Sequence, residues 1–254
     1  MLQTAVDAAH DAGRLLLQRY SLDRRVTIKG YRDIVTDADA AAEAVVLEHI
    51  RTRFPNHAIL SEEAGSIGGD GGVTWVVDPL DGTTNYAHRM PAFAVSIGVL
   101  EEREPLLGVI YDPELDHTFT AERGRGVWLN GAPVGVSQID EVRASLFSLD
   151  WGHADADREQ TLRYLERVAP LCGTIRALGS ATLALAYVAA GWLDAYLNLA
   201  LKPWDTAAGC LMVAEGGGRC TAPDGAAYDV MRPGCLATNG LIHDALLHIM
   251  SDVG

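Results

Sequence analysis

The stretch Trp75–Asn85, with the sequence WVVDPLDGTTN, joins a predicted buried strand to a cluster of polar residues. Three apolar residues lead into Asp78 and Asp81, while Pro79 and Gly82 are residue types that interrupt strands and shape turns. Two unpaired carboxylates about 4 Å apart repel by roughly 4 kcal/mol at an effective dielectric near 20. The stretch therefore predicts either a cation shared by Asp78 and Asp81 or an ordinary surface turn.

The residues after Asp81 add the features of an anion-binding turn. Gly82 permits a tight backbone turn, and Thr83 and Thr84 begin a short predicted helix whose first amides have no helical acceptor. Amides of this kind donate to anions such as phosphate. Because carboxylate oxygens suit a hard cation such as Mg²⁺ or Mn²⁺, the turn is able to gather a cation and an anion at one point.

Further acidic residues lie where predicted elements begin or end. Glu62 and Glu63 directly follow a predicted strand, Asp39 lies in the first turn of a predicted helix, and Asp205 directly precedes another helix. Each has an ordinary structural explanation, namely a solvated loop, an acid beside a helix dipole, and an N-cap. Their chemical meaning depends on whether the fold brings them together.

Composition excludes several classes of partner. The 254 residues are 48% hydrophobic and include 34 acidic and 20 basic residues, for a formal net charge of −14. Without a compensating basic run, this charge disfavours nucleic acid and anionic membranes. No run of about 18 apolar residues is present, and the segment Met1–Tyr20 carries charges where a signal peptide would be apolar. We expect a soluble, cytoplasmic protein.

Hydrophobic periodicity predicts a mixed α/β protein. A meander of strands in the first half gives way to alternating helices and strands, which indicates layered sheets and helices in two halves, 1–140 and 141–254. The glycine-rich segment 65–72 is predicted to be a surface connection that either closes over a cleft or is plain surface slack. The predicted helices are 2–20, 37–51, 157–169, 181–190, 206–215 and 241–250, and the predicted strands are 58–60, 73–77, 93–100, 106–111, 118–121, 174–176, 193–197 and 236–238.

Taken together and in this order, the motifs resemble the inositol monophosphatase family of metal-dependent, lithium-sensitive sugar phosphatases. The resemblance covers nearly the whole chain, and the combination of Asp-Pro-hydrophobic-Asp-Gly-Thr with a downstream Trp-Asp is specific. It implies a layered α-β-α-β-α sandwich of the inositol monophosphatase and fructose bisphosphatase type, commonly a homodimer. The motifs are DIVTDAD at 33–39, SEEAG at 61–65, WVVDPLDGTTNYAH at 75–88, FAVSIG at 93–98, GVWLNG at 126–131, LGSA at 178–181, PWDTAAG at 203–209 and EGGG at 215–218.

The resemblance also implies the metal ligands. Glu62, Asp78 and the carbonyl of Leu80 would hold one ion, a second would be held by Asp78, Asp81 and Asp205, and a third would sit on Glu62. Two or three Mg²⁺ ions are expected, with Mn²⁺ as a possible substitute. The first half would then carry most ligands, while the second would supply Asp205 and the substrate pocket.

Catalytic and substrate-binding residues follow from the same resemblance. Thr83, paired with Asp39, would orient and deprotonate the attacking water, with Glu62 as a further catalytic residue. The amides of Gly82, Thr83 and Thr84 would receive the phosphate. Asn198 stands where inositol-type members carry a glutamate, so inositol specificity is open, and a hydrogen bond from Asn198 would lack the strength of a carboxylate. The predicted substrate-binding residues are Ser180, Ala181, Asn198 and Lys202.

The expected function is a Mg²⁺-dependent phosphomonoesterase that hydrolyses inositol monophosphate, or a related small polyol or sugar phosphate, by attack of a metal-bound water. Fructose 1,6-bisphosphate and histidinol phosphate are alternative substrates. A phosphotransferase using Asp37-Ala38-Asp39 as a DxD nucleophile pair is a second mechanistic class, although the apolar strand before it would be short. A catalytically silent binding protein on the same fold is a third.

Overall fold

The described chain, residues 1–22, 25–69 and 72–251 of a computed structural model, forms three sheets separated and covered by helices. A short 3₁₀ turn, Val142–Ala144, precedes the second half. The helices are α1 Leu2–Tyr20, α2 Asp37–Arg53, α3 Thr83–Ala87, α4 Asp155–Val168, α5 Ala181–Ala189, α6 Pro203–Glu215 and α7 His243–Ser251. The strands are β1 Val26–Gly30, β2 Asp33–Thr36, β3 Ala58–Ser61, β4 Gly65–Ile67, β5 Val73–Asp81, β6 Ala94–Glu101, β7 Glu104–Asp112, β8 His117–Glu122, β9 Val127–Leu129, β10 Ala132–Val134, β11 Leu146–Leu149, β12 Thr174–Arg176, β13 Ala195–Asn198, β14 Arg219–Thr221 and β15 Cys235–Thr238.

The larger sheet has the strand order β10-β9-β8-β7-β6-β5-β3-β4 and is antiparallel except where β3 runs parallel to β5. Alternating side chains of β5 face opposite layers, as strand geometry requires. Trp75 and Val77 pack with α1 and α2, whereas Val76 packs with Ala207 of α6. This sheet is therefore buried on both faces at its centre.

The smaller sheet has the order β12-β11-β13-β15-β14, with β11 parallel to both β12 and β13. One face, including Phe147 and Leu149, packs with Leu246 and Met250 of α7 and with residues of α4. The other face, including Tyr196, packs with α5 and α6. The layers run α1/α2, large sheet, α5/α6, small sheet, α4/α7, which confirms the predicted α-β-α-β-α sandwich.

Two glycines set the distance between α6 and the large sheet. Gly98 of β6 and Gly108 of β7 lie opposite each other in the ladder. A Cβ on Gly98 would lie 2.9 Å from the Cβ of Ala207, and one on Gly108 would lie 2.8 Å from the Cα of Ala208. The absence of side chains here lets α6 approach the sheet closely, and α6 carries Asp205 in its first turn.

The predicted helices all exist, with ends shifted by a few residues. At the start of α2, Thr36 Oγ1 accepts from the Ala38 amide and Asp39 Oδ2 accepts from the Thr36 amide at 2.8 Å, so the two side chains form a capping box. Short strands were predicted least well, because an element of three to five residues carries little hydrophobic periodicity. The strands that the sequence did not predict are β1, β2, β4, β9, β10, β11 and β14.

Three expectations about boundaries were wrong. The chain was expected to turn at Pro79, but β5 continues to Asp81 across a register shift between Asp78 and Asp81, where the missing amide of proline breaks no ladder bond. The segment 65–72 is not all loop, because Gly65–Ile67 pairs with β3; residues 70 and 71 lie outside the described chain. Asp205 is not an N-cap, since α6 begins at Pro203.

The two larger sheets fall on either side of residue 140, with the large sheet ending at Val134 and the small sheet beginning at Leu146. The division into two domains stays a prediction, because α6 from the second half packs on the large sheet. No helix in the described ranges combines the length and apolarity needed to cross a membrane.

Candidate active site

The bulge in β5 shapes the first part of the site. Asp78 pairs with Ser96 and Asp81 with Ala94, so Pro79 and Leu80 are accommodated opposite a single residue of β6. The Leu80 amide donates to Asp78 Oδ1 at 3.0 Å, which fixes that carboxylate. Both acids are buried, yet both line the same cleft.

Asp205 joins this pair from the first turn of α6. Its Oδ2 atom accepts from the Lys202 amide at 2.6 Å, so the carboxylate satisfies the helix terminus and holds its position. Asp78, Asp81 and Asp205 each offer a carboxylate oxygen, and these atoms lie within 4.8 Å of one another. Residues 124 positions apart in the chain thus form one cluster of oxygen ligands.

The electrostatics of the cluster favour a bound cation. Burial raises the pKa of Asp78 well above its usual range, and the neighbouring charges of Glu62, Asp81 and Asp205 add to the rise. Burial, followed by the charge of Asp81, does the same to the pKa of Asp205. Three crowded, desolvated acids are destabilised as anions unless a cation lies among them. An all-oxygen donor set of this kind fits a hard divalent ion such as Mg²⁺ or Mn²⁺.

Asp81 is held by the start of α5. Its carboxylate accepts from the Ser180 hydroxyl, from the Ala181 amide at 3.2 Å, and from the Thr182 amide and hydroxyl at 2.8 and 2.6 Å. Ser180 is buried, whereas Ala181 lines the cleft. The observed bonds position a candidate metal ligand, and the substrate-binding role predicted for Ser180 and Ala181 stays a prediction.

Glu62 extends the acidic surface from the end of β3. Its amide donates to the Val77 carbonyl at 3.1 Å, which places it beside β5, and its side chain lines the cleft. Burial raises the pKa of Glu62 to about 7, against the opposing charge of Lys29. Lys29 Nζ lies 3.5 Å from Glu62 Oε1 and forms an ion pair with Glu63. The Lys29 ammonium therefore offsets part of the negative charge of these two glutamates.

Thr83 and Asp39 form a direct pair across 44 residues of sequence. Thr83 Oγ1 lies 2.9 Å from Asp39 Oδ1 and 3.0 Å from the Leu80 carbonyl oxygen. The other carboxylate oxygen, Asp39 Oδ2, accepts from the Thr36 amide and hydroxyl. Burial raises the pKa of Asp39, while its bonds with Thr36 and Thr83 oppose the rise. The pair joins the end of β5 to the first turn of α2.

The turn at Gly82 has a conformation that favours glycine. Its φ is +88°, and a Cβ there would lie 2.8 Å from the Ala92 carbonyl oxygen. Gly82, Thr83 and Thr84 all line the cleft at the start of the short helix α3. That the amides of these three residues bind the phosphate stays a prediction.

The cleft has a volume of about 620 Å³ and brings the remaining predicted residues to the same space. Asn198 and Lys202 line it, at the end of β13 and before α6. Sequence reasoning missed Asp150, which also lines the cleft, because the four-residue strand β11 before it was not predicted. It also missed Arg32, because the hairpin of β1 and β2 was not predicted.

Fold and site together define an α-β sandwich with an acidic cleft that suits a divalent metal. A family model described as the inositol monophosphatase family matches residues 1–254. The chain belongs to this metal-dependent family, which confirms the resemblance carried by the motifs.

Individual relatives match along nearly their full length. The chain is 40% identical over 258 residues to the Nus factor SuhB of Escherichia coli K12, covering 99% of this chain and 96% of that protein. It is 35% identical over 256 residues to inositol monophosphatase 1 of Solanum lycopersicum, covering 98% and 94%. The structure of the extragenic suppressor protein suhB from Bartonella henselae superposes with a TM-score of 0.95 at 36% identity, covering 99% and 98%.

Proposed function

We propose that this protein is a Mg²⁺-dependent phosphomonoesterase that hydrolyses inositol monophosphate or a related small polyol or sugar phosphate. The observation that carries the proposal is one cleft that holds the cluster of Asp78, Asp81 and Asp205 beside the Thr83–Asp39 pair. Family membership supports the same reaction.

The metal would be held by the acids already described. Glu62, Asp78 and the Leu80 carbonyl are proposed for one ion, Asp78, Asp81 and Asp205 for a second, and Glu62 for a looser third, with Mn²⁺ as a substitute. Bound divalent ions would neutralise charge on the phosphoryl group and lower the pKa of the attacking water.

The chain's own residues position the reactants. The Thr83 hydroxyl accepts a hydrogen bond from the attacking water while it donates to Asp39 Oδ1, so the pair orients the water. The proton lost by the water passes to Thr83 as Thr83 gives its own proton to Asp39. Because burial raises the pKa of Asp39, this carboxylate is a stronger base than an exposed aspartate. The amides at Gly82, Thr83 and Thr84 bind the phosphate oxygens.

The alternatives differ in the leaving group or in the intermediate. Fructose 1,6-bisphosphate and histidinol phosphate remain candidate substrates of the same site. A DxD nucleophile pair is disfavoured because Asp37 is exposed beside Arg19, whereas Asp39 is buried against Thr36. We further propose that the protein is a cytoplasmic homodimer whose protomers each consist of the two halves 1–140 and 141–254. It would bind neither nucleic acid nor membranes. A silent binding protein is the remote alternative.

Phosphate release with and without Mg²⁺ tests the proposal, using inositol 1-phosphate, fructose 1,6-bisphosphate, histidinol phosphate and glycerol 2-phosphate. Asp78→Asn keeps an acceptor for the Leu80 amide but removes a charge shared by two proposed metal sites, so turnover should fall at least about 100-fold. Asp244→Asn, which removes a surface ion pair with Arg219, is the matched control. Metal-independent turnover, or none with any substrate, would contradict the proposal.

A further inference from the structure

Asp150 is a titratable residue of the cleft that the proposed mechanism does not use. It directly follows β11, lines the cleft, and is only 8% exposed. Its Oδ1 atom accepts from the Gly179 amide at 2.8 Å, but its Oδ2 atom is buried and forms no hydrogen bond with any group in the described ranges. A buried carboxylate oxygen without a donor is costly, so this atom is a candidate for a ligand.

Asn198 lies beside Asp150 at the same edge of the small sheet. Leu149 pairs with Leu197 between the parallel strands β11 and β13, and the next residues along the two strands are Asp150 and Asn198. The Asp150 amide donates to the Leu197 carbonyl at 3.3 Å, which keeps the two chains together at this point. The carboxyl ends of parallel strands are a recurrent place for ligand binding in open α/β sheets.

The hydrogen bonds of Asn198 fix which atoms it offers. The Ala200 amide can only donate, so the atom that faces it at 3.0 Å is Oδ1. The amide nitrogen of the side chain lies 3.4 Å from Tyr196 Oη and retains a second N–H for the cleft. Asn198 therefore acts toward a ligand mainly as a donor.

Tyr196 also lines this wall of the cleft, and its hydroxyl lies near the Asp150 carboxylate. Burial raises the pKa of Asp150 to about 6, while the Gly179 amide and the nearby Tyr196 hydroxyl lower it. Within the described ranges, the Oδ2 atom of Asp150 accepts no hydrogen bond. An acceptor and a donor stand next to each other on one wall of the cleft.

We propose that Asp150 is a specificity-determining residue: its free Oδ2 accepts a hydrogen bond from one hydroxyl of the leaving group, while Asn198 donates to a neighbouring hydroxyl oxygen. The ligand class is a polyol with adjacent hydroxyls. A hydroxyl both donates and accepts, so a pair of them satisfies both residues, whereas an ammonium group would leave Asn198 facing a second donor. This inference rests on the proposed hydrolysis of a phosphate ester and names the part of the substrate that the wall binds.

Two matched substrates test it: inositol 1-phosphate, and cyclohexyl phosphate, which has the same ring without hydroxyls. Asp150→Asn keeps the side-chain shape and an acceptor for Gly179 but replaces the free acceptor by a donor. We expect KM for inositol 1-phosphate to rise about 10- to 100-fold, the range for a hydrogen bond to a charged group, with kcat changed little. The constants for cyclohexyl phosphate, and inhibition by inorganic phosphate, should stay within about two-fold of wild type.

Each other outcome overturns the inference. Equal losses with both substrates would mean that Asp150 acts only by holding Gly179 and, through Ser180, Asp81. A loss confined to histidinol phosphate would mean that the carboxylate binds an ammonium group. Unchanged constants would mean that Asp150 does not contact substrate. If wild type hydrolyses none of these esters with Mg²⁺, the proposed function fails first, which separates the two failures.

Discussion

Asp81 illustrates how much a single residue depends on its neighbours in space. Its place in the DPLDGT motif marks it as a candidate metal ligand. The sequence does not show that the start of α5, 99 residues later, supplies four hydrogen bonds to its carboxylate. Those donors make buried ionisation possible, because burial raises the pKa of Asp81 while the bonds from Ser180 and Thr182 lower it.

At the same scale, Thr83→Ala should separate catalysis from metal binding. The change removes the hydroxyl that faces Asp39 Oδ1 but leaves the carboxylate cluster intact. We expect kcat to fall about 100-fold or more, because proton transfer by a positioned group contributes on that scale. Steady-state kinetics would measure it, with Thr83→Ser, which keeps the hydroxyl, recovering most of the rate. Near-normal kcat for Thr83→Ala would remove this pair from the mechanism.

Helix α6 shows how the position of an element depends on the surface against which it packs. Its sequence PWDTAAG predicts a helix with an acidic first turn, but it does not predict the surface against which the helix packs. The cross-strand pair of Gly98 and Gly108 provides that surface, since neither position has room for a side chain beneath Ala207 and Ala208. The depth of α6 in the sandwich thereby sets the position of Asp205.

Gly108→Ala should therefore weaken the site from a distance. The added methyl would lie within 3.0 Å of three atoms of Ala208, so α6 or the sheet must move. Overpacking of this kind costs about 1–3 kcal/mol in the free energy of unfolding, and displacement of Asp205 should raise the Mg²⁺ concentration required for half-maximal activity. Urea unfolding and Mg²⁺ titration would measure both effects.

The control for that substitution is Gly68→Ala, because nothing lies within 4 Å of a Cβ at Gly68. It should leave both the free energy of unfolding and the Mg²⁺ requirement close to wild type. A Gly108→Ala protein with wild-type values in both assays would show that α6 does not depend on this contact.

His243, the first residue of α7, gives this part of the fold a pH dependence. It is fully buried, with Nδ1 2.9 Å from Thr238 Oγ1 and Nε2 3.1 Å from Thr221 Oγ1. Burial, followed by the charge of Arg219, lowers the pKa of His243 to about 4, against an ordinary value near 6.5. Between these two pKa values the unfolded chain binds a proton at His243 that the folded chain does not. The contribution of the neutral, buried His243 to the free energy of unfolding is therefore fully present above pH 6.5 and is lost as the pH falls toward 4.

The loss attributable to His243 should reach about 3 kcal/mol across that window, at 1.36 kcal/mol per pKa unit. His243→Gln cannot take up the proton. The difference in free energy of unfolding between wild type and His243→Gln, measured in urea, should therefore shrink from pH 7 to pH 4.5. A constant difference would indicate that His243 does not titrate in this range.

At the scale of the whole molecule, the candidate metal site links two layers that also meet through packing and through hydrogen bonds such as that from Ser96 Oγ to the Trp204 carbonyl. Asp78 and Asp81 belong to the large sheet, and Asp205 belongs to the helical layer between the two sheets. A cation among them would hold these layers together and would remove the repulsion among buried carboxylates.

Mg²⁺ should therefore raise the melting temperature of the protein. A ligand at 100 times its Kd adds about 2.7 kcal/mol to the free energy of unfolding. Differential scanning fluorimetry with MgCl₂, against NaCl of equal ionic strength, would measure the shift. Asp78→Asn should lose most of it and Asp244→Asn should keep it; equal shifts with both salts would indicate general screening rather than a site.

The sequence by itself determined the long helices, the strand that ends in the DPLDGT motif, and the family. These features depend on local periodicity and on residue types at short, fixed spacing. Short strands escaped prediction, and with them Asp150 and Arg32, because three or four residues carry too little pattern.

Only the tertiary structure decided which distant residues meet. Asp205 reaches Asp78 because two glycines admit α6, and Asp150 stands beside Asn198 because β11 and β13 are parallel and in register. Such contacts depend on strand register and close packing across the whole chain, and no single segment encodes them.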